Sequence, residues 1–570
     1  MARQAKFGRN DKVNYTGGNM VLALWLAAAG AMSAAAETSV ELAVPEGRER
    51  RVVQIDPKGD DRCEVSFRVP IVDMQQFWTP DMTTPLKGLK WGMSWVTSKA
   101  SAPQSSMPCI AYFNMAERNR LFFGAEALEW DCLVESTMNQ EKGVYDVKLT
   151  VAAGRGRKLG PFAVTVDRRD VPWTQAVGDW RDSLRYRRGT YPDGAWKPTF
   201  CSWYAAHAAV NGEWVERAAA IAAELGFGTF ILDDGWSYDE AKRVNPDTVK
   251  AKNWYRDIGR WDAFSPVKFP DFKRHRERMR KIGINYVVWV APYFVGTRSE
   301  AFRRWGFDHR PDLKPFEGSV LTDIENREMV ESVAEQLERL VRDCDLDGLK
   351  VDFLDFVRPS VYEPHGARSL EYVSNLMERL RKVRPDGLFE FRQSYATPVT
   401  ACLATQFRAG DVPFEWLDNL HRIAQIRLTM GDGIPIHSDP IYWAEAETDE
   451  NVDRHFMAAM AGVPMLSMDL EKLPKSRRER VRKWISCYTE KVEQFQRNGK
   501  WRIFYRNGGL VGLVATLPGK AFAIVNDPAG LNDLLPACGK DKLVLFNLGF
   551  ESLTLPDGAV VAPAGVLSRL

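Results

Sequence analysis

Histidine is scarce in this chain. There are seven in 570 residues, and all of them lie between His207 and His455. Cysteine is nearly as rare, with eight: Cys63, Cys109, Cys132, Cys201, Cys344, Cys402, Cys487 and Cys538. No two form a C-x-x-C pair and none stands at ligand spacing from a histidine, which argues against a zinc site or a thioredoxin-like motif. Eight cysteines in a chain this long cannot form a disulfide scaffold, although one bridge among Cys63, Cys109 and Cys132 stays open. Excess charge is missing too. Lys plus Arg is 77 and Asp plus Glu is 75. That balance gives no basic face for nucleic acid, so no nucleic-acid partner is expected. No stretch reaches the 18 or so apolar residues that a membrane span needs.

The ends and the middle of the chain differ in rhythm. Residues 1–36 read as an export leader. Arg3, Lys6, Arg9 and Lys12 precede the uncharged apolar run Met20–Met32, which ends in Ser33-Ala34-Ala35-Ala36 before Glu37. The expectation is an exported protein, periplasmic or secreted. Residues 37–172 alternate apolar and polar with period two, as in Cys63–Val69 and Tyr145–Val151, between turns such as Pro57-Lys-Gly59. That pattern predicts an antiparallel β-sandwich. A helical linker is expected over 173–197, with the helix spanning Trp173–Arg188.

Residues 198–497 alternate short apolar strands with amphipathic helices. Eight strands are expected, near Thr199–Tyr204, Gly228–Asp233, Asn285–Ala291, Gly348–Asp352, Leu388–Arg392, Thr405–Ala409, Gly433–His437 and Gly462–Ser467. Eight β–α units in about 300 residues fit a (β/α)₈ TIM barrel. A doubly wound sheet would want a glycine-rich turn after its first strand, where this chain has Ala205-Ala206-His207-Ala208. Residues 498–570 return to strands and form a small C-terminal β domain. The fold expected is therefore multidomain, with a central TIM barrel between an N-terminal sandwich and a C-terminal β domain.

Catalytic groups of such barrels project from the C-terminal ends of the strands. Strand two ends in Asp233-Asp234-Gly235-Trp236: two acids that need hydrogen-bond donors, as sugar hydroxyls are, and a ring face for a sugar. Strand four carries Lys350 and Asp352 two residues apart, both facing the barrel interior. Strand five contributes Glu390 and Arg392, strand six leads through Arg408 to Asp411, and strand seven gives His437 and Asp439. Asp355 reads as a loop or cap residue. Two opposed carboxylates are what glycoside hydrolysis needs, and strands four and six can supply them.

These motifs resemble those of the α-galactosidases of glycoside hydrolase families 27 and 36, most closely the bacterial family 36-like branch. The quoted runs are Asp233-Asp234-Gly235-Trp236, Gly348-Leu-Lys350-Val351-Asp352 and Gly410-Asp411-Val412, with Trp261-Asp262, Lys268-Phe269-Pro270 and Gly283-Ile284 between them. The resemblance implies a retaining exo-α-galactosidase that needs no cofactor or metal, with Asp352 as nucleophile and Asp411 as acid/base. It implies that Asp233 and Asp234 bind the 4- and 6-hydroxyls, that Lys350 binds the 3- or 4-hydroxyl, and that Trp203 and Trp236 line the sugar subsite. Asp411 is then expected to keep its proton near neutral pH, raised by burial and by the charge of Asp352. The chain departs from the family after strand five. Glu390-Phe391-Arg392-Gln393-Ser394-Tyr395 replaces the Cys-x-Ser-Gly-Gly run of family 36, a segment that reads the sugar's 2-substituent. Arg408 stands three residues before Asp411, where the family 27 counterpart stands four before. An α-N-acetylgalactosaminidase, a transglycosidase and a silent carbohydrate-binding protein are the alternatives.

Overall fold

The computed structural model describes residues 37–80, 86–87, 96–240, 255–259, 261, 263–309, 315, 318–539 and 542–569. The expected leader over 1–36 lies outside the described residues, as does Asp262. Among the described residues no helix is long and apolar enough to cross a membrane.

The N-terminal region is a sandwich of a five-stranded and a six-stranded sheet. Arg62–Pro70 buries Cys63, Val65, Phe67 and Val69 on one face, as period two requires. The sandwich is not wholly antiparallel, because the edge strand Glu37–Glu41 pairs parallel to Arg62–Pro70. Cys63 and Cys132 flank Val151 on neighbouring strands, and all eight cysteines are free thiols. The following helix spans Trp173–Ser183, not Trp173–Arg188. Ser183 Oγ donates to the Trp180 carbonyl at 2.6 Å, competing with the helix ladder, and Leu184 turns extended.

Eight parallel strands then form the barrel. They are β1 (Thr199–Cys201), β2 (Thr229–Leu232), β3 (Asn285–Val290), β4 (Gly348–Val351), β5 (Leu388–Arg392), β6 (Gln406–Arg408), β7 (Ile436–His437) and β8 (Met465–Leu466). β8 pairs with β1, and two isolated bridges, His437 to Val463 and Ile441 to Leu466, close the remaining gap. The interior is packed. Cys201, Ile231, Val287, Leu388 and Met465 form one buried layer, with half-buried Trp203 against it. Residues two further along each strand stand above that layer. Gly348 lets β4 approach β5, since a Cβ there would lie 1.8 Å from the Leu388 carbonyl oxygen.

Helices cover the strands much as the hydrophobic spacing predicts, for example Phe272–Ile282, Arg327–Asp343 and Trp416–Met430. Two elements go beyond the sequence reading: the helix Asp449–Ala459, capped by Thr448, and the helix Leu531–Cys538 in the C-terminal domain. The final long helix is interrupted by a π turn at Tyr488–Val492. A five-stranded sheet completes the C-terminal domain.

The sandwich packs against the catalytic end of the barrel. Trp78 is fully buried at this junction and donates through Nε1 to Gln425 Oε1 at 2.6 Å. The Ser106 amide donates to the Ser394 carbonyl at 3.0 Å, and Thr397 Oγ1 donates to the Pro103 carbonyl at 3.0 Å. The sandwich thus supplies a wall of the site.

Candidate active site

Asp352 follows the last residue of β4, and its amide still pairs with the Val290 carbonyl at 2.8 Å. Its side chain is almost enclosed, at 5% exposure. Oδ1 accepts from the Phe353 amide at 2.9 Å and the Tyr395 hydroxyl at 3.3 Å, and Oδ2 accepts from Trp289 Nε1 at 3.1 Å. Arg392 Nε lies 3.5 Å from Oδ1. Burial alone would raise this carboxyl, but the charges of Arg392 and Lys350 outweigh it and hold the group well below the usual carboxylate range. Asp352 is therefore an anion with fixed orientation. Phe353, the next residue, adopts a left-handed φ of 61°, unusual for an aromatic side chain. Its ring stacks on Phe294 and carries the Arg392 guanidinium at 4.9 Å, so packing maintains the turn that aims Asp352.

Lys350, one layer below, pairs with Asp233 Oδ2 at 2.5 Å, and both are buried. Burial works against the ammonium, but the Asp233 carboxylate keeps it charged. Asp234 is also buried, and its carboxyl is pushed up to about 7 by burial and then by the Asp233 charge. Tyr238 donates to it at 3.2 Å. Gly235 makes the turn that follows both acids. Its φ is +110°, and a Cβ there would meet Ala208 Cα at 2.4 Å. Lys268 clamps the same turn by donating to the carbonyls of Ala208, Gly235 and Glu240. Lys350→Met is expected to cost about 3–5 kcal/mol of stability, because it leaves Asp233 buried and uncompensated. Chemical denaturation measures this, and an unchanged midpoint would show that the pair contributes nothing.

Two strands round the barrel, Arg408 of β6 organises the second carboxylate. Its Nη1 reaches Asp411 Oδ1 at 2.8 Å and Asp439 Oδ1 at 2.6 Å. Its Nε lies 3.4 Å from Glu390 Oε1, and Gln406 donates to the other Glu390 oxygen at 2.9 Å. Burial raises the Glu390 carboxyl. Asp411 itself is half exposed, at 55%, and faces the cleft. Gln393 Oε1 accepts from the Gly410 amide at 2.9 Å and steadies the loop.

The expected protonation of Asp411 is not what this geometry gives. Desolvation pushes the carboxyl up, but the guanidinium groups of Arg408 and Arg392 outweigh it, and the group sits below its ordinary value. Three other expectations change. Trp236 is fully buried, with Nε1 donating to the Trp289 carbonyl at 2.8 Å and its ring on Phe264, so it is a wall residue and presents no face to a sugar. His437 is fully buried with Nε2 against the Ala195 carbonyl at 2.7 Å, and burial lowers its pKa to about 4; it is a neutral structural residue. Asp439 is also enclosed. It accepts from the Val412 amide at 2.7 Å and the Tyr204 hydroxyl at 3.1 Å, so it positions Arg408 and the acid loop behind the substrate surface. Asp355, expected as a loop or cap residue, lies in the short turn after β4 and is the ion partner of Arg392 at 3.1 Å. Trp203 and Arg392 remain at the mouth, half-buried.

Trp289 and Tyr395 were not anticipated, although Trp289 shares strand parity with Val287 and so projects inward one layer higher. A cavity of about 700 Å³ opens beside Asp411 and Arg392. Its wall includes Pro80 and Ser105–Met107 of the sandwich. Among the described residues no cluster of three or more His, Cys, Asp or Glu side chains has the arrangement of a metal site.

No family model matches the chain. Among curated proteins, an α-galactosidase of Escherichia coli is 29% identical over 94 residues, 16% of this chain and 12% of the relative. α-Galactosidase AgaA of Geobacillus stearothermophilus is 24% identical over 176 residues, 30% of this chain and 22% of the relative. The matched segments thus span less than a quarter of either curated relative. Structural likeness extends further. The crystal structure of AgaA, a glycoside hydrolase family 36 α-galactosidase, superposes with a TM-score of 0.61 at 16% identity, covering 81% of this chain and 68% of the other. An α-galactosidase of Thermus thermophilus in complex with p-nitrophenyl α-D-galactopyranoside gives 0.52 at 19% identity, covering 81% and 95%. The chain has the fold of the family 36 α-galactosidases.

Proposed function

We propose that the protein is a retaining, exo-acting α-galactosidase that releases terminal α-linked galactose from oligosaccharides or glycans by double displacement. The observation that carries this reading is the pair of carboxylates at the barrel mouth. Asp352 is held ionised by Trp289, Tyr395 and Arg392, and Asp411, two strands round the barrel, stands half exposed over Arg408. Asp352 attacks the anomeric carbon while Asp411 gives a proton to the departing glycosidic oxygen. Asp411 then takes a proton from water, which displaces Asp352 from the face that the leaving group vacated. Asp233, Asp234 and Lys350 offer acceptors and a donor to the ring hydroxyls, and Arg392 stands beside Asp352 where the 2-hydroxyl would lie. The sequence and structural likenesses to α-galactosidases support galactose as the sugar. Two variants of AgaA, which shares this fold, are in complex with raffinose and with stachyose, both oligosaccharides.

The test is a panel of nitrophenyl α-glycosides of galactose, N-acetylgalactosamine and glucose, with the product followed by proton NMR. Galactoside turnover with α-galactose appearing first is expected. β-Galactose appearing first would refute retention, preference for N-acetylgalactosamine would refute the sugar, and no turnover on any would refute hydrolysis.

A further inference from the structure

The mechanism above uses the rim of the cavity and leaves most of its wall unexplained. Three guanidinium groups, Arg358, Arg392 and Arg422, line it together with two carboxylates, Asp355 and Asp411. Both carboxylates are already paired, Asp355 with Arg392 and Asp411 with Arg408. Of the other two arginines, Arg358 has no ion pair among the described residues and Arg422 has a long one. Arg358 is exposed on the loop after β4. Arg422 packs against the acid loop, where a Cβ on Gly410 would come within 2.6 Å of its Nη1. Its ion partner Asp418, on the same helix, is 3.6 Å away, and its Nε is buried with no hydrogen-bond acceptor.

The sandwich adds a third unsatisfied group to the wall. Ser106 is only 8% exposed, and its backbone is strained into the left-handed region at φ 67°. Its amide is fixed to the Ser394 carbonyl, yet its Oγ is buried without a partner. Ser106 Oγ and Arg422 Nε are both enclosed, so the charge that faces the cavity comes from Arg358 and from the exposed part of the Arg422 side chain. Guanidinium forks bind oxyanions through paired hydrogen bonds.

We propose that the cavity beside Asp411 is a subsite for an anionic leaving group, a sugar bearing a carboxylate or a sulfate. Arg422 touches the residue before Asp411, so its charge falls on the leaving-group side of the scissile bond. This rests on Asp411 being the acid/base. The substrate class is then an acidic α-galactoside, and the sandwich domain takes part in choosing it.

Three matched disaccharides test this: α-galactosyl galactose, its 6-sulfate, and α-galactosyl galacturonate. The kcat/KM of a charged substrate is expected to exceed that of the neutral one by about tenfold or more, the worth of one charged hydrogen bond. The ratio should fall as sodium chloride is added and should approach one in Arg358→Gln/Arg422→Gln. Preference for the sulfate alone or for the carboxylate alone supports the subsite and identifies its oxyanion. Equal kcat/KM for all three overturns it. Calorimetry with the same disaccharides on Asp352→Asn separates this from the hydrolytic reading. Tighter binding of the charged ligands by the variant, with no turnover of any of the three by the wild type, would sink hydrolysis and keep the anion site. Turnover of all three without charge preference would do the reverse.

Discussion

Asp352→Asn is expected to lower kcat on a nitrophenyl α-galactoside by on the order of 10⁴–10⁶-fold, the range that removal of a single catalytic residue spans elsewhere. The effect is large because the surroundings exist to keep this group charged. Trp289 and Tyr395 donate to its two oxygens, and Arg392 and Lys350 supply positive charge around them. An amide cannot form the glycosyl ester, and it would turn a donor toward Tyr395 or Trp289. The Asp352→Ala variant gives a sharper readout. Azide added to it would occupy the space left by the carboxylate and attack the anomeric carbon of an activated substrate from that side, expelling nitrophenolate. β-Galactosyl azide is therefore the expected product. Wild-type turnover in either variant would move the nucleophile elsewhere. An α-azide would mean attack from the opposite face and would end the double-displacement scheme.

The parts of the molecule visible from sequence are those governed by short-range periodicity. All eight barrel strands lie where the apolar runs place them, and the two-residue spacing of Lys350 and Asp352 puts both inside the barrel. The same rule applied to Val287 would have found Trp289, since inward positions recur every second residue along β3. Other features depend on long-range packing and leave no local trace. Trp236 and His437 look like sugar-binding residues until Phe264 and the Ala195 carbonyl enclose them. Asp439 stands at a strand end, but its role follows from Arg408 bridging it to Asp411. Ser106 and Arg422 meet at one cavity although the chain separates them by more than half the barrel. Arg408 stands three residues before Asp411 in sequence, yet only the geometry brings its guanidinium within hydrogen-bonding distance and reverses the expected shift of Asp411.

Asp411→Ala tests that reversal and the acid role together. A nitrophenolate leaves with little protonic help, whereas a sugar hydroxyl does not. The variant is thus expected to lose on the order of 10²–10⁴-fold in kcat/KM on an α-galactosyl disaccharide and far less on the nitrophenyl substrate. Equal losses on both would show that Asp411 positions substrate without donating a proton. The pH profile carries the second half of the argument. A general acid works only while protonated, so activity on the disaccharide falls as pH rises through the Asp411 pKa. In the free protein Arg408 and Arg392 hold that pKa below its ordinary value against the pull of desolvation. The alkaline limb of kcat/KM, which reports the free protein, should accordingly lie in the acid range. A bound sugar covers the half-exposed carboxyl and removes water from it, which favours the neutral form. The limb of kcat, which reports the complex, should therefore lie at higher pH than that of kcat/KM. Arg392→Gln takes one positive charge away and should move the kcat/KM limb upward. An alkaline limb near or above neutrality in the wild type, unmoved by that substitution, would mean that the arginines do not govern the acid, and the proton donor would have to be sought elsewhere on the rim.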